Sequence, residues 1–259
     1  KRVNIHTKRG MVKAVFGWPA IHTRTAANEK SPKLDNIFLD CGADSKREVE
    51  ELGIHVGCVV TYEDKFMVLN NKYYVGRALD NRIGGFMIAE VARLLYENKV
   101  ELPFGLYITN SVQEEVGLRG AQMIVENIRP NVAIVTDVCH DTGTPMLDKI
   151  KQGDTKCGDG PVLTYGPAVQ NNLLELIINA AEKNKIPFQR AAASRVTGTD
   201  TDAFAYGTGG VASSLISLAL KYMHTTVESV AKEDVENVIR LIFESLQKIK
   251  NNHDFKYLK

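Results

Sequence analysis

The sequence predicts a layered α/β fold with a mixed, largely parallel sheet, accompanied by a smaller β-rich, barrel-like module. From about Tyr74 onward, apolar strand-like runs alternate with amphipathic helical patterns, which is typical of layered α/β domains. Before that point, short β-rich runs are separated by Gly, Pro and Asn turn signals, and one short helix is expected near Ser45 to Leu52. We therefore expect a β-rich module over residues 1–74, an α/β domain over residues 75–259 and a boundary near 71–75.

The elements follow in chain order. In the β-rich part, the strand-like runs are Gly10–Phe16, Asn36–Asp40 and Phe66–Leu69. In the larger domain, Asp80 is placed to cap a helix with a clear apolar stripe, and Phe104–Thr109 has the pattern of a buried strand. The elements expected after it are a helix ending near Ile128, a strand at Val132–Thr136, a helix at Asn172–Lys185, a strand at Phe188–Ala193, an apolar strand at Val211–Leu220 and a terminal amphipathic helix with an acidic first turn.

Composition narrows the classes of function. With 32 basic and 31 acidic residues the net charge is +1, so bulk charge gives no reason to expect nucleic acid or an anionic membrane as a partner. The four cysteines lack CxxC spacing, which predicts free thiols in a reducing compartment. No apolar run approaches the roughly 18 to 20 residues that span a bilayer. We expect a cytoplasmic protein.

Four stretches place acids and a histidine at or just beyond predicted strand ends, where sites in open α/β sheets usually lie. A carboxylate that follows a fully apolar strand, as Asp137 does, is costly to bury unless it is paired or binds a metal. The adjacent Glu114 and Glu115 point in different directions, so one can ligate a metal while the other faces a substrate. The four stretches are Ala78–Arg82, Gln113–Gly117, Val135–Asp137 and Lys221–Thr225.

Each stretch alone has a simpler explanation. Asp80 suits a helix N-cap, and Asp137 suits a cap or turn as well as a ligand. A Glu-Glu pair is most often part of a solvated loop, and His224 at a strand end is more often a core or edge histidine. The order and spacing of the whole set favour a cation site.

This set strongly resembles the tetrahedral (TET) aminopeptidase family, which are dinuclear metallo-exopeptidases also described as glutamyl aminopeptidases or endoglucanases. The resemblance extends over nearly the whole chain and includes further stretches: Phe38–Ser45, Gly53-Ile54 with Gly57, and Thr197–Asp200.

The resemblance implies an aminopeptidase that removes N-terminal residues from peptides with two divalent ions, zinc or cobalt, and a metal-activated water. By resemblance, Asp80 bridges the two ions, Glu115 and His224 complete the coordination of one ion, Asp137 is a ligand of the other, and Glu114 is the general base. It also implies that the β-rich module forms a dimer contact and that dimers assemble further, possibly into a dodecamer.

A further loop resembles part of a substrate pocket in the same family. Its residues are Gly198, Thr199 and Asp200, although Asp200 and Asp202 could equally cap a short helix. The preferred N-terminal residue stays open. Acidic residues would be favoured if a basic side chain enters the pocket, and the candidates are Lys221, Arg195 and Arg190.

The sequence departs from the family pattern in one respect. The family's first metal motif, His-x-Asp-Glu, is absent, so one imidazole ligand is missing, and His140 is a weak candidate to replace it. We therefore expect that an N-terminal segment carrying this histidine is lacking, that the chain as given binds at most one metal tightly, and that it exposes apolar surface where that segment belongs.

Two alternatives to a peptidase remain at this stage. A glycoside hydrolase also uses paired carboxylates, for which Glu114 and Glu115 could serve, but it has no need of Asp137 and His224 in metal-ligand positions. The chain could also be a catalytically silent assembly subunit with an incomplete metal site.

Overall fold

The computed structural model describes residues 1–25, 33 and 37–255. Backbone contacts divide the chain into two units, Lys1–Lys65 and Phe66–Lys259. The predicted strand Asn36–Asp40 falls partly outside the described residues, because Asn36 is not among them.

The first unit is a four-stranded antiparallel sheet with the strand order β3-β2-β1-β4. Val3, Ile5 and Ala14 form its buried core. The sheet does not close on itself within the described residues, so the barrel-like form expected from the sequence is not seen. Its elements are β1 (Arg2–Thr7), β2 (Gly10–Gly17), a 3₁₀ turn (Ile21–Thr23), β3 (Phe38–Asp40), α1 (Lys46–Glu51) and β4 (Val59–Tyr62).

The second unit contains a mixed sheet, as the sequence predicts, and this sheet has seven strands. Its path runs β5-β6-β11-β10-β8-β9, with β7 paired to β10. Among the pairings of the described residues, β7 with β10 and β8 with β9 are parallel, and the other four are antiparallel, so parallel pairs are the minority. The strands are β5 (Met67–Leu69), β6 (Tyr73–Gly76), β7 (Val132–His140), β8 (Val162–Tyr165), β9 (Gln189–Ala192), β10 (Ala212–Lys221) and β11 (Glu228–Ala231).

Helices pack on both faces of this sheet. In β7, Ala133 belongs to a cluster with residues of α3 and α6, while its neighbours Val132 and Ile134 belong to the larger cluster that includes α2, which follows from the two-residue alternation of a strand. The fully buried Met87 of α2 belongs to the larger cluster. The helices are α2 (Leu79–Glu97), α3 (Arg119–Ile128), α4 (Lys149–Gln152), α5 (Asn171–Lys183), α6 (Asp200–Tyr206) and α7 (Lys232–Leu246).

Most of the predicted elements of this unit are confirmed, and one is wrong. Phe104–Thr109 is not a strand: it pairs with no strand of the described part of the chain, and Tyr107 and Ile108 are exposed. An apolar run specifies a strand only when a neighbouring strand satisfies its backbone groups. A second difference is the length of β7, which continues past Thr136, so Asp137 lies within the strand and opposite Ser217 of β10.

Two smaller observations concern the whole described chain. The four cysteines are free, as predicted. No helix of the described residues is both long and apolar enough to cross a membrane.

Candidate metal centre

Asp80 lies in the first turn of α2, but it does not cap the helix. Its backbone is not helical, and the capping bond comes from Asn81, whose Oδ1 accepts the N–H of Gly84 at 3.0 Å. Asn81 Nδ2 also donates to the carbonyl of Thr136 in β7 at 2.8 Å. The predicted N-cap role of Asp80 is therefore wrong, and its carboxylate is available for another partner.

Glu114 and Glu115 open a 3₁₀ turn, Glu114–Val116, that precedes α3. The carbonyl of Glu114 accepts the N–H groups of both Gly117 and Leu118 at 3.0 Å, which fixes the turn. The turn places the two side chains in different surroundings: Glu114 is half-buried, whereas Glu115 is 55% exposed.

His224 lies in the loop that joins β10 to β11. Its backbone N–H donates to Glu228 Oε1 at 2.7 Å, and its ring is 64% exposed. His224 has a φ of 60°, Ala78 a φ of 53° and Gln113 a φ of 62°, so left-handed backbone occurs at or within two residues of Asp80, Glu115 and His224, although not near Asp137. Such strain costs about 1 to 3 kcal/mol per residue and is typical of functional sites.

Three of these side chains converge. His224 Nε2 lies 3.3 Å from Asp80 Oδ2 and 3.4 Å from Glu115 Oε2. One donor atom from each of the three residues lies within 4.8 Å of the others. Segments that are far apart in the chain therefore bring two carboxylates and one imidazole to a single point.

Asp137 is close to this group without joining it. It is 6% exposed, and its Oδ1 accepts the N–H of Val138 at 2.8 Å. Burial, together with the charges of Asp80, Glu114 and Asp200, raises the pKa of Asp137 to about 8, against the opposing effect of that N–H. Asp137 is thus a buried acid with no ion-pair partner among the described residues.

The other carboxylates repel each other in the same way. Burial raises the pKa of Glu114 to about 7, with additional repulsion from Asp200, Glu115 and Asp80. The pKa of Asp80 rises to about 6, again mainly through burial, and His224 opposes the shift. A cluster of acids with raised pKa values is a recognised property of functional sites.

The predicted pocket loop is ordered by its own side chains. Thr199 caps α6 by accepting the N–H of Thr201 at 3.2 Å, and Asp202 accepts the N–H groups of Thr197 and Gly198 at 3.1 and 3.0 Å. Asp200 does not cap: it is nine-tenths buried and accepts the hydroxyl of Ser111. Its charge raises the pKa of Glu114, so Asp200 lies at the edge of the acidic cluster.

Two of the three basic pocket candidates, Lys221 and Arg190, have other partners. Lys221 Nζ lies 3.8 Å from Asp141 Oδ2 and over the ring of Tyr73, and the guanidinium of Arg190 stacks on Phe188. His140 is exposed and lies an odd number of residues from Asp137 on β7, so the strand directs the two side chains to opposite faces. His140 is therefore not placed to replace a ligand beside Asp137.

Sequence reasoning missed Glu228. This residue is 2% exposed, and its two oxygens accept the backbone N–H groups of Asp80 and His224. The available signal was a carboxylate four residues after His224, at the start of the apolar run Val230-Ala231.

These residues fit a divalent cation. Carboxylate oxygen and imidazole nitrogen are ligands of zinc and related ions, and a cation among repelling carboxylates would reverse their raised pKa values. The fit rests on the convergence of Asp80, Glu115 and His224 and on the nearby buried charge of Asp137.

Comparison with known proteins shows that the chain is similar to aminopeptidases in sequence and in structure. The family model described as M42 glutamyl aminopeptidase matches residues 1–241. The lysyl aminopeptidase of Pyrococcus furiosus is 33% identical over 252 residues, which are 96% of this chain and 71% of that protein. A TET aminopeptidase structure from a marine sediment Thaumarchaeota archaeon has a TM-score of 0.86 and 32% identity, covering 95% of this chain and 70% of the other.

A second solved structure concerns assembly. The TET1 peptidase of Pyrococcus horikoshii, which can assemble into a tetrahedron or a large octahedral shell, has a TM-score of 0.79 and 29% identity, covering 94% of this chain and 71% of the other.

Proposed function

Because the chain belongs to the M42 glutamyl aminopeptidase family, we propose that it is a dinuclear metal-dependent aminopeptidase that hydrolyses N-terminal residues from peptides. The observation that carries the proposal is the convergence of Asp80, Glu115 and His224 beside the buried Asp137. The aminopeptidase names of its relatives favour this function over glycoside hydrolysis.

In this proposal, four side chains hold two divalent ions, zinc or cobalt. Asp80 would contribute to both ions, Glu115 and His224 would be further ligands of one, and Asp137 would be a ligand of the other. When bound, such ions supply Lewis acidity, which lowers the pKa of a water toward neutrality and polarises the scissile carbonyl. Support comes from the acidic cluster itself, which needs a counter-charge, and from the exposed ring of His224, which leaves the site open to solvent.

Glu114 acts as the general base. It accepts a proton from the attacking water and then donates that proton to the leaving amine, as the carbonyl carbon gains oxygen and loses nitrogen. The half-buried position of Glu114, next to the proposed ligand Glu115, suits a group that must both accept and donate a proton beside the metal site. Glu115 is the more exposed of the pair and is assigned to the metal.

In the proposal, the restriction to N-terminal residues comes from the free α-amino group of the peptide. This group would be attracted to one of the metal ions or to a nearby carboxylate. A blocked N-terminus removes this attraction. In the proposal, Gly198 and Thr199 belong to the same substrate pocket as Asp200, supported by the position of Asp200 at the edge of the cluster.

The proposal is tested by cleavage of a panel of short peptides with free N-termini and of the same peptides acetylated at the N-terminus. A strong chelator should abolish cleavage of the free peptides, and zinc or cobalt should restore it. Cleavage that persists without metal, or equal cleavage of acetylated peptides, would contradict the proposal. A protein that retains no metal after equilibration with zinc would instead be an assembly subunit.

Assembly into homo-oligomers is part of the same proposal. The first unit exposes apolar side chains on its strands, including Met11, Val15, Phe38 and Val59. Exposed apolar residues grouped on one sheet are typical of an interface between subunits. We propose that this module forms a dimer contact and that dimers can assemble further, up to a dodecamer. A cytoplasmic location stays a prediction.

A further inference from the structure

Glu228 joins the two segments that carry Asp80 and His224. Its Oε2 accepts the backbone N–H of Asp80 at 3.0 Å, and its Oε1 accepts the backbone N–H of His224 at 2.7 Å. Each oxygen of one carboxylate therefore binds the main chain of a different residue of the proposed metal site.

The sheet explains why Glu228 can reach both segments. It is the first residue of β11, which pairs with β6 on one side and with β10 on the other. Glu228 itself lies opposite Gly76, at the end of the strand that leads to Asp80. The loop that carries His224 ends at β11.

The buried position of Glu228 is energetically unfavourable for a charged side chain. The side chain is 2% exposed, and a buried carboxylate is strongly unfavourable unless its oxygens are hydrogen-bonded. It also adds negative charge beside Asp80 and raises the pKa of that residue. A neutral side chain would relieve this repulsion, but it could not accept two N–H groups with two oxygens.

Both of the amides that Glu228 binds belong to irregular backbone. Asp80 has non-helical angles at the start of α2, and His224 is left-handed with a φ of 60°. Neither N–H has a place in a helix or a strand ladder, so the carboxylate supplies the acceptor that secondary structure does not.

We propose that Glu228 is the positioning residue of this site, and that its carboxylate holds the backbones of Asp80 and His224 at the spacing at which their side chains share one cation. The inference rests on the proposed function in so far as Asp80 and His224 are metal ligands. It assigns Glu228 no contact with substrate.

Asp234 offers a matched control. It is fully buried in the same unit, and its two oxygens accept the backbone N–H groups of Gly158 and Gly160 at 2.6 and 2.9 Å. Asp234→Asn and Glu228→Gln therefore remove the same kind of double acceptor, but only the second change affects the segments of Asp80 and His224.

The test compares the wild-type chain with Glu228→Gln, Glu228→Asp and Asp234→Asn. Cobalt(II) affinity is measured from the absorption of the bound ion, and amide hydrogen exchange is followed in peptides that contain Asp80 and His224. Glu228→Gln should weaken cobalt binding by about 10- to 100-fold, the usual effect of losing a residue that orients metal ligands. It should also speed exchange at both segments.

Asp234→Asn should leave cobalt affinity within about threefold of wild type, even if it lowers the melting temperature as much as Glu228→Gln does. Wild-type cobalt affinity in folded Glu228→Gln, or an equal loss in Asp234→Asn, would overturn the proposal. If Glu228→Gln does not fold, Glu228→Asp is used instead, since it keeps the carboxylate but is too short to reach both amides. Weaker cobalt binding in Glu228→Asp would support the proposal, and wild-type affinity would overturn it. Amide hydrogen exchange in the metal-free protein tests how Glu228 holds the two segments, independently of peptidase activity. An inactive wild-type chain would therefore contradict the proposed function alone.

Discussion

The imidazole of His224 lies 3.3 Å from the carboxylate of Asp80, although one residue belongs to the loop after β10 and the other to the start of α2. Glu115 approaches the same ring nitrogen at 3.4 Å from a third segment. No two of these residues are near neighbours in the sequence. Their meeting is therefore a property of the fold, and the predictions below depend on it.

Replacing His224 should weaken metal binding most clearly. His224→Ala removes the only nitrogen donor of the described three-residue cluster and should lower the affinity for zinc or cobalt at least about tenfold. Calorimetric titration of the metal-free protein measures this loss. His140→Ala is the matched control, since His140 is exposed and lies outside the cluster; an equal loss in that variant would show that the effect is not local.

Substitution of the two adjacent glutamates, Glu114 and Glu115, should have different effects. Glu114→Gln should leave metal affinity nearly unchanged and lower kcat by about 10²- to 10⁴-fold, because it removes a positioned general base. Glu115→Gln should instead lower metal affinity, because it removes a ligand oxygen. Steady-state kinetics combined with metal titration distinguishes the two. Equal loss of metal in both variants, or full activity in both, would refute the assignment.

The stability of the metal-free protein should fall as the pH rises from about 4 to about 8. The folded-state pKa values of Asp80, Glu114 and Asp137 lie near 6, 7 and 8, above those of an unfolded chain, so the native state holds protons that the unfolded state has released. For the buried Asp137, each unit of raised pKa corresponds to about 1.4 kcal/mol once the pH exceeds the folded-state value, whereas the contribution of the more exposed Glu114 is reduced by solvent screening.

Denaturant unfolding at several pH values in the presence of a chelator measures this dependence. Asp137→Asn should flatten it most, because Asp137 has the largest of the three shifts. Adding zinc should restore stability above pH 7, since the ion binds the ionised carboxylates of the native state. Stability that rises steadily over this pH range without metal would contradict the electrostatic description of the site.

Assembly should depend on the apolar strands of the first unit. Met11→Asp together with Val15→Asp places charges on an apolar surface and should shift the protein toward monomers, as measured by mass photometry. Met146→Asp is the control, because Met146 is fully exposed in the other unit. A wild-type chain that is monomeric at micromolar concentration would remove the basis of this prediction.

The fold was predictable where the side-chain pattern is periodic. The apolar stripe of α2 and the apolar run of β10 specify their elements because packing and local pattern agree. Phe104–Thr109 shows the limit: its residues have the pattern of a strand, but a strand also requires a pairing partner, which local sequence does not encode.

The residue types of the candidate site were predictable from the sequence, but the residues that position them were not. Asp80 was interpreted as a possible cap, whereas Asn81 caps the helix and leaves Asp80 free. Glu228 was missed because a carboxylate at the start of an apolar strand has the same local appearance as a solvated turn. Its partners are backbone amides, one of them from a distant segment, and only the folded chain shows them.

The central claim is that Asp80, Glu115 and His224, with Asp137, hold the metal on which peptide cleavage depends. The most direct measurement is a stepwise titration of the metal-free protein with cobalt(II), in which bound metal and cleavage of a free peptide are followed together. We predict that cleavage is absent at the start and rises with the amount of bound cobalt. Cleavage before any cobalt binds, or a wild-type chain that binds none, would contradict the account.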